Sequence, residues 1–374
     1  MQRTLTTCFV LATMLLGFPL AGVVLKGDPI GQYVEFPPVT RYVRHASFSP
    51  FFFYLMALLF VCTTLLLALF VYTGRKKSRC ATRPPHARFP WWGWVGLAVI
   101  LVGWIVAWNR FQWLKPLQHH TFLPLWIGYI LFVNGLCLKR TGQSLLTDSP
   151  GRFTLLFPAS AVFWWFFEYL NRFVQNWYYL NVSHFTAGEY ILFATLSFST
   201  VLPAVLSTTR LLLSFPTFEI GLRKLTPFRI GTPKRLAWTG LVISAVGLSL
   251  IGVLPDLLFP LLWVSPLLII VSLQFFTGDK TIFSPLSEGD WRTVIPPALG
   301  ALICGFFWEL WNWNSLAKWE YAIPYVHCFK VFEMPLLGYL GYLPFGLECI
   351  VVGERIQGSQ IYQLGGIDDG TASR

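Results

Sequence analysis

Glu309 and Asn312 lie three residues apart inside an apolar run, and Glu168 and Asn171 repeat that spacing earlier in the chain. On a helix, a three-residue step puts both side chains on one face. An ionisable group inside a membrane-length apolar helix is costly, so it faces the bundle interior or a wet cavity and marks a functional site by default. A short aromatic segment follows each pair, with Trp177 and Tyr179 after the first and Trp319 and Tyr321 after the second. His184 and His327 come next, and Glu189 and Glu333 then open further apolar runs. Arg172, at i+4 from Glu168, is placed to neutralise it, whereas Trp313 occupies that position after Glu309. A buried carboxyl without a cationic partner keeps its proton and can donate it. Aromatic faces stabilise a cation. Acid and aromatics together suit protonation of an alkene and shelter of the resulting carbocation. The candidate catalytic residues are Glu309, Glu333, Glu168 and Glu189. Asn171, Asn312, Trp177, Tyr179, Trp319 and Tyr321 are the candidate substrate-binding residues.

Plainer roles exist for each group. A glutamate inside a span can serve an interhelical hydrogen bond. Glu189 and Glu333 can act as helix-start carboxylates, which helix electrostatics favour. Tryptophan and tyrosine can be interfacial anchors. After Glu333, Gly338 and Gly341 leave room for close packing or close ligand approach. Four glutamates and two histidines match the inventory of a di-iron carboxylate site, but the Glu-x-x-His spacing is missing, so no metal is expected. His119-His120 is an interfacial pair. The seven cysteines contain no C-x-x-C pair and mostly lie in apolar runs, as packing residues do. Nucleophile-elbow, phosphate-loop, dinucleotide and HExxH motifs are absent, and no cofactor is expected.

The elements that carry these residues are membrane spans. Only 12% of the 374 residues are charged against 55% hydrophobic, where soluble domains average roughly 25% charged. Mean hydropathy is +0.58. The net charge of +11 does not point to nucleic acid, because the basic residues collect in loops between apolar runs. Arg75, Lys76, Lys77, Arg79, Arg83 and Arg88 form one such loop, and Arg223, Lys224, Arg229, Lys234 and Arg235 another. The positive-inside rule produces this pattern, and an anionic-lipid surface is the alternative use of the same charges.

A span needs roughly 20 mainly apolar residues. That test yields about ten, at 5–25, 51–72, 91–108, 122–138, 153–176, 189–213, 236–254, 257–276, 294–313 and 333–352. Pro255-Asp256 separates the seventh from the eighth. The first span reads as an uncleaved anchor rather than a signal peptide. With both termini cytoplasmic, every strongly basic loop falls inside, as for a multi-pass protein of a bacterial inner membrane. The expected fold is therefore an all-α integral membrane bundle. Residues 1–89 form a two-helix addition with a basic inner loop, and 356–374 a disordered tail.

Between these lies a tandem repeat of four spans, 90–235 and 236–355. Thr141-Gly142 matches Thr277-Gly278, and Glu168, Asn171, Trp177, Tyr179, His184 and Glu189 match Glu309, Asn312, Trp319, Tyr321, His327 and Glu333. An even number of spans per unit makes the copies parallel, related about the membrane normal.

The order acid, Trp-x-aromatic, acid resembles the lycopene cyclase domain of bacterial heterodimeric and fungal fused carotenoid cyclases. It rests on Glu168, Trp177-Tyr178-Tyr179 and Glu189, and on Glu309, Trp319-Glu320-Tyr321 and Glu333. The family's Pro-x-Glu-Glu or Pro-x-Glu-Asp opening is replaced in both copies. The resemblance implies paired helical membrane units and acid–base chemistry on an isoprenoid. The expected function is an isoprenoid- or lipid-modifying enzyme of cyclase or isomerase type, in the lipid bilayer, with a membrane lipid or isoprenoid as ligand. A transporter or lipid-binding protein and a non-catalytic assembly subunit are the alternatives. Oligomeric state is left open.

Overall fold

The computed structural model describes residues 9–79, 87–229 and 231–362. Among them are ten long helices: α1 Phe9–Lys26, α2 Pro50–Lys77, α3 Trp91–Trp108, α4 Phe122–Thr141, α5 Pro150–Val174, α6 Ala187–Leu213, α7 Pro233–Leu250, α8 Pro260–Thr277, α9 Ile295–Trp313 and α10 Leu336–Gln357. Eight of these are long and apolar enough to cross a membrane. The other two expected spans, α7 and α9, have sufficient length but are diluted by charged residues, asparagine or proline. α7 opens on Lys234 and Arg235, and α9 carries Pro296, Pro297, Glu309 and Asn312. The fold is that of an all-α, multi-pass membrane protein. Most of the tail expected to be disordered, residues 363–374, lies outside the described residues.

Prolines and glycines set the boundaries. α2, α5, α7, α8 and α9 each carry Pro at the first or second position, where its missing N–H costs no helical hydrogen bond. α4 and α8 both end on a left-handed glycine, Gly142 (φ 71°) and Gly278 (φ 77°), a conformation that penalises any side chain. α6 is interrupted after Phe198. There Ser160 of α5 donates to Phe198 O at 2.6 Å and accepts from Leu202 N at 3.0 Å, bridging the break.

α3 packs on α4 and α7 on α8, while α5 packs on α6 and α9 on α10. α6 also packs along α9, joining the two groups of helices. Small residues permit the closest approaches: a side chain at Gly346 would collide with Pro297 O, and one at Gly300 with Thr209. The core is aromatic, with Trp126 5.0 Å from Trp308 and 5.2 Å from Trp311. α1 lies on α7, and α2 is almost unburied along its length.

Two short ribbons depart from the expected all-helical pattern. β1 (Trp177–Leu180) pairs antiparallel with β2 (Lys318–Tyr321), placing Trp177 opposite Tyr321 and Tyr179 opposite Trp319. β3 (Lys330–Val331) and β4 (Met334–Pro335) form a tight hairpin. Glu333 sits in the turn of that hairpin, so it does not open the tenth span. α10 begins at Leu336 with 3-10 geometry and becomes α-helical at Tyr342. Backbone pairing of Lys330 with Pro335 and Val331 with Met334 takes the chain out of helix around Glu333.

Candidate functional site

The sequence after α5 and after α9 builds the same local arrangement twice. Asn171 holds β1 against the end of α5. Its amide donates to Trp177 O at 2.8 Å and accepts from Asn176 N at 2.9 Å. Asn312 holds β2 in the same way, donating to Trp319 O at 2.8 Å and accepting from Trp319 N at 2.8 Å. Both asparagines therefore position backbone. Each strand then turns its aromatic side chains back onto a glutamate of the helix it leaves.

Glu168 is buried, and its Oε1 accepts from Trp164 Nε1 at 3.0 Å, Trp177 Nε1 at 3.0 Å and the Tyr179 hydroxyl at 2.6 Å. Glu309 is fully buried, and its Oε1 accepts from the hydroxyls of Tyr321 at 2.6 Å and Tyr342 at 2.7 Å. Trp319 Nε1 donates in turn to the Tyr321 hydroxyl at 2.8 Å. The second oxygen of Glu309 is buried without a partner. Burial, with a carboxyl beside each ring, pushes the phenols of Tyr179 and Tyr321 well above their usual range, so both stay protonated and donate. Arg172 does not neutralise Glu168 by direct contact. Its guanidinium reaches outward to Gln32 O at 2.6 Å and Glu35 at 3.5 Å, because the Glu168 carboxyl is drawn toward β1 instead.

Both sets back onto one cavity of about 580 Å³. Trp164, Trp177 and Tyr179 contribute one side, and Trp319, Tyr321 and Tyr342 the other, with Trp263 and Trp308 between them. Trp177 and Trp263 are 5.4 Å apart, and Trp308 and Tyr342 5.9 Å. Phe52, Leu55, Met56 and Leu59 of α2 close a further wall. This volume falls within the range of about 300–1,000 Å³ for small-molecule sites, which are mostly apolar with a few placed polar groups. The carboxyls stand behind the tyrosines and tryptophans, which themselves form the wall.

The other two expected acids do not join this arrangement. Glu189 is exposed and completes a capping box at the start of α6, accepting from Thr186 N at 2.8 Å. Glu333 is held by Lys318 at 2.6 Å. Burial opposes the charge on Lys318, but the Glu333 and Glu320 carboxylates outweigh it and hold the ammonium above its usual value. His184 packs against His119 with ring centroids 4.5 Å apart, while His327 lies exposed beside Phe48. Among the described residues, no three His, Cys, Asp or Glu side chains converge as metal ligands would.

Several buried groups escaped the sequence reading. Glu348 is fully buried and accepts from Leu267 N at 3.2 Å. That N–H follows Pro266, which interrupts the hydrogen bonding of α8. An acid within an apolar run, the signal that singled out Glu309, was present here too. Tyr342, Trp164, Trp263 and Trp308 are aromatic residues in aromatic-rich runs, and nothing in their local sequence separates wall from core. Comparison with protein families, curated proteins and solved structures finds no match to the chain.

Proposed function

We propose that this protein binds an isoprenoid or similar lipid in the central cavity and modifies it by acid–base chemistry, as a cyclase or isomerase would. The observation that carries the reading is the pair of glutamates, each hydrogen-bonded to tyrosine, behind one apolar, aromatic-walled cavity. Glu309 is the proton donor of one set, with Tyr321 and Tyr342 as its route to the cavity, and Glu168 with Tyr179 is its counterpart. In the relay a tyrosine hydroxyl passes its proton to the alkene as it takes the proton of Glu309; the aromatic faces stabilise the resulting carbocation, and loss of a proton to the Tyr179–Glu168 set restores a neutral alkene. The equivalent bonding of Asn171 and Asn312, and the symmetric register of β1 with β2, favour a duplicated four-helix unit with the cavity between its copies. Under this reading the protein sits in a bacterial inner membrane with its basic loops and both termini cytoplasmic.

The test replaces Glu309 and Glu168 with Gln, singly and together, and profiles membrane lipids against a deletion strain. A lipid that changes on deletion and in the Glu309→Gln strain supports the enzyme. An unchanged profile in all strains sinks it. A lipid-binding or transport function is the second reading, favoured because neither carboxyl lines the cavity itself. It predicts that a lipid co-purifies unaltered and that the glutamine variants change its occupancy without changing its structure.

A further inference from the structure

The ribbon end of the cavity carries polar groups that the acid–base reading does not use. Asn176 follows the left-handed Gln175 (φ 48°) that ends α5, and it is 2% exposed. Its Nδ2 donates to Ala322 O at 3.3 Å, and its backbone accepts from Ala322 N at 2.7 Å. Because Ala322 O can only accept, the amide is oriented with Oδ1 at its other end. That Oδ1 is buried and has no partner. An unpaired buried acceptor is costly, which makes it a place to look for a ligand.

Asp256 borders the same cavity. Its two oxygens lie 2.7 Å from His45 Nδ1 and 2.8 Å from Ala46 N. The other ring nitrogen of His45 is 3.2 Å from Gln175 O, so His45 links Asp256 to the residue beside Asn176. Tyr42 N and Val43 N both donate to Gln175 Oε1 at 2.9 Å, clamping the corner from the N-terminal segment. The corner is thus a fixed group of acceptors at one end of an apolar space. Each Asp256 oxygen already has a partner, whereas the unpaired acceptor is the neutral amide of Asn176. A neutral donor therefore fits better than an ammonium.

We propose that Asn176, supported by Asp256 and His45, forms a headgroup site for a terminal hydroxyl, so that the ligand is an apolar chain ending in an alcohol. This rests on the apolar-ligand reading of the cavity and narrows its substrate class.

The test uses the full-length protein in nanodiscs and three probes of equal chain length: geranylgeraniol, its methyl ether and geranylgeranylamine. Binding is followed by quenching of tryptophan fluorescence. The alcohol is expected to bind roughly tenfold more tightly than the ether, the effect of one hydrogen bond to an otherwise unpaired buried group. Asn176→Leu is expected to remove that preference while ether binding persists. Equal binding of alcohol and ether to the unaltered protein overturns the headgroup site alone, as does an unchanged preference in the variant. Tighter binding of the amine than the alcohol overturns the neutral-donor assignment. Failure of all three probes to bind overturns the apolar-ligand reading as well. The comparison of probes on the unaltered protein does not depend on the variant folding.

Discussion

Tyr321 stands between Glu309 and the cavity, its hydroxyl on the carboxyl at 2.6 Å and its ring in the wall. If a proton passes from Glu309 to a ligand, it passes through this phenol or that of Tyr342. Replacing both Tyr321 and Tyr342 with Phe keeps the rings and removes both relays, so turnover should fall by about 10²–10⁴-fold while ligand binding persists. Measuring both in one preparation separates relay from packing, and equal losses of both would reject the relay. Asn312 is a different case, because its amide satisfies backbone groups of β2. Asn312→Ala should cost about 1–3 kcal/mol, seen as a lower thermal midpoint, through the buried backbone groups it leaves unpaired. His119, which lines the cavity, and its neighbour His120 set a pH dependence. Burial lowers the affinity of His119 and His120 for protons, and His184 adds like-charge repulsion, with Lys115 also acting on His119 and Glu189 opposing at His120. Their folded-state pKa values lie below the unfolded value of about 6.5, so their contribution to stability is complete above that pH and declines as pH falls through it. Thermal midpoints should fall between about pH 7.5 and pH 5.5, and replacing both histidines with Phe should flatten the change in the lower part of that window, below about pH 6.5.

At the scale of elements, α5 with β1 and α9 with β2 are the same device: a helix ending in an asparagine that anchors an aromatic strand across a glutamate. α6 and α10, the helices that follow, differ. α6 starts from the Thr186–Glu189 capping box, whereas α10 starts from a hairpin and a 3-10 turn. Glu189 is accordingly a structural residue, and Thr186→Ala should reduce stability by about 1 kcal/mol without altering the lipid profile. A changed profile in that variant would return Glu189 to the site. The α9–α10 contact is tighter. With Gly346 against Pro297 O and Gly305 against the Tyr342 ring, Gly346→Val should cost about 1–3 kcal/mol or more by forcing the helices apart. It should also displace Tyr342 from Glu309, so ligand binding and stability should fall together in a thermal-shift titration.

For the whole molecule, the cavity exists because α5, β1 and their neighbours face α9, β2 and α10, with α2 laid over the remaining side. The chain's polar and apolar order made much of this legible. Runs of about 20 apolar residues mark helices wherever the backbone must satisfy its own hydrogen bonds in lipid. The ends of those runs lie within a few residues of the helix ends, and the recurring Glu, Asn, Trp and Tyr identified the two wall-forming sets. The Thr-x-x-Glu signature of a capping box was also present before α6 and accounts for Glu189. Tertiary structure alone decided the rest. Glu309 and Glu168 gained tyrosine partners through strands whose paired residues lie between 138 (Leu180 to Lys318) and 144 (Trp177 to Tyr321) positions apart, which no local periodicity encodes. Glu333 was drawn to Lys318 by the hairpin and so left the acid set. Asn176, Asp256 and His45, far apart in sequence, became neighbours only because the N-terminal segment folds over the ribbon end of the bundle. Local sequence determines which segments become helices and which faces are costly to expose. The long-range packing of those faces decides which costly groups meet.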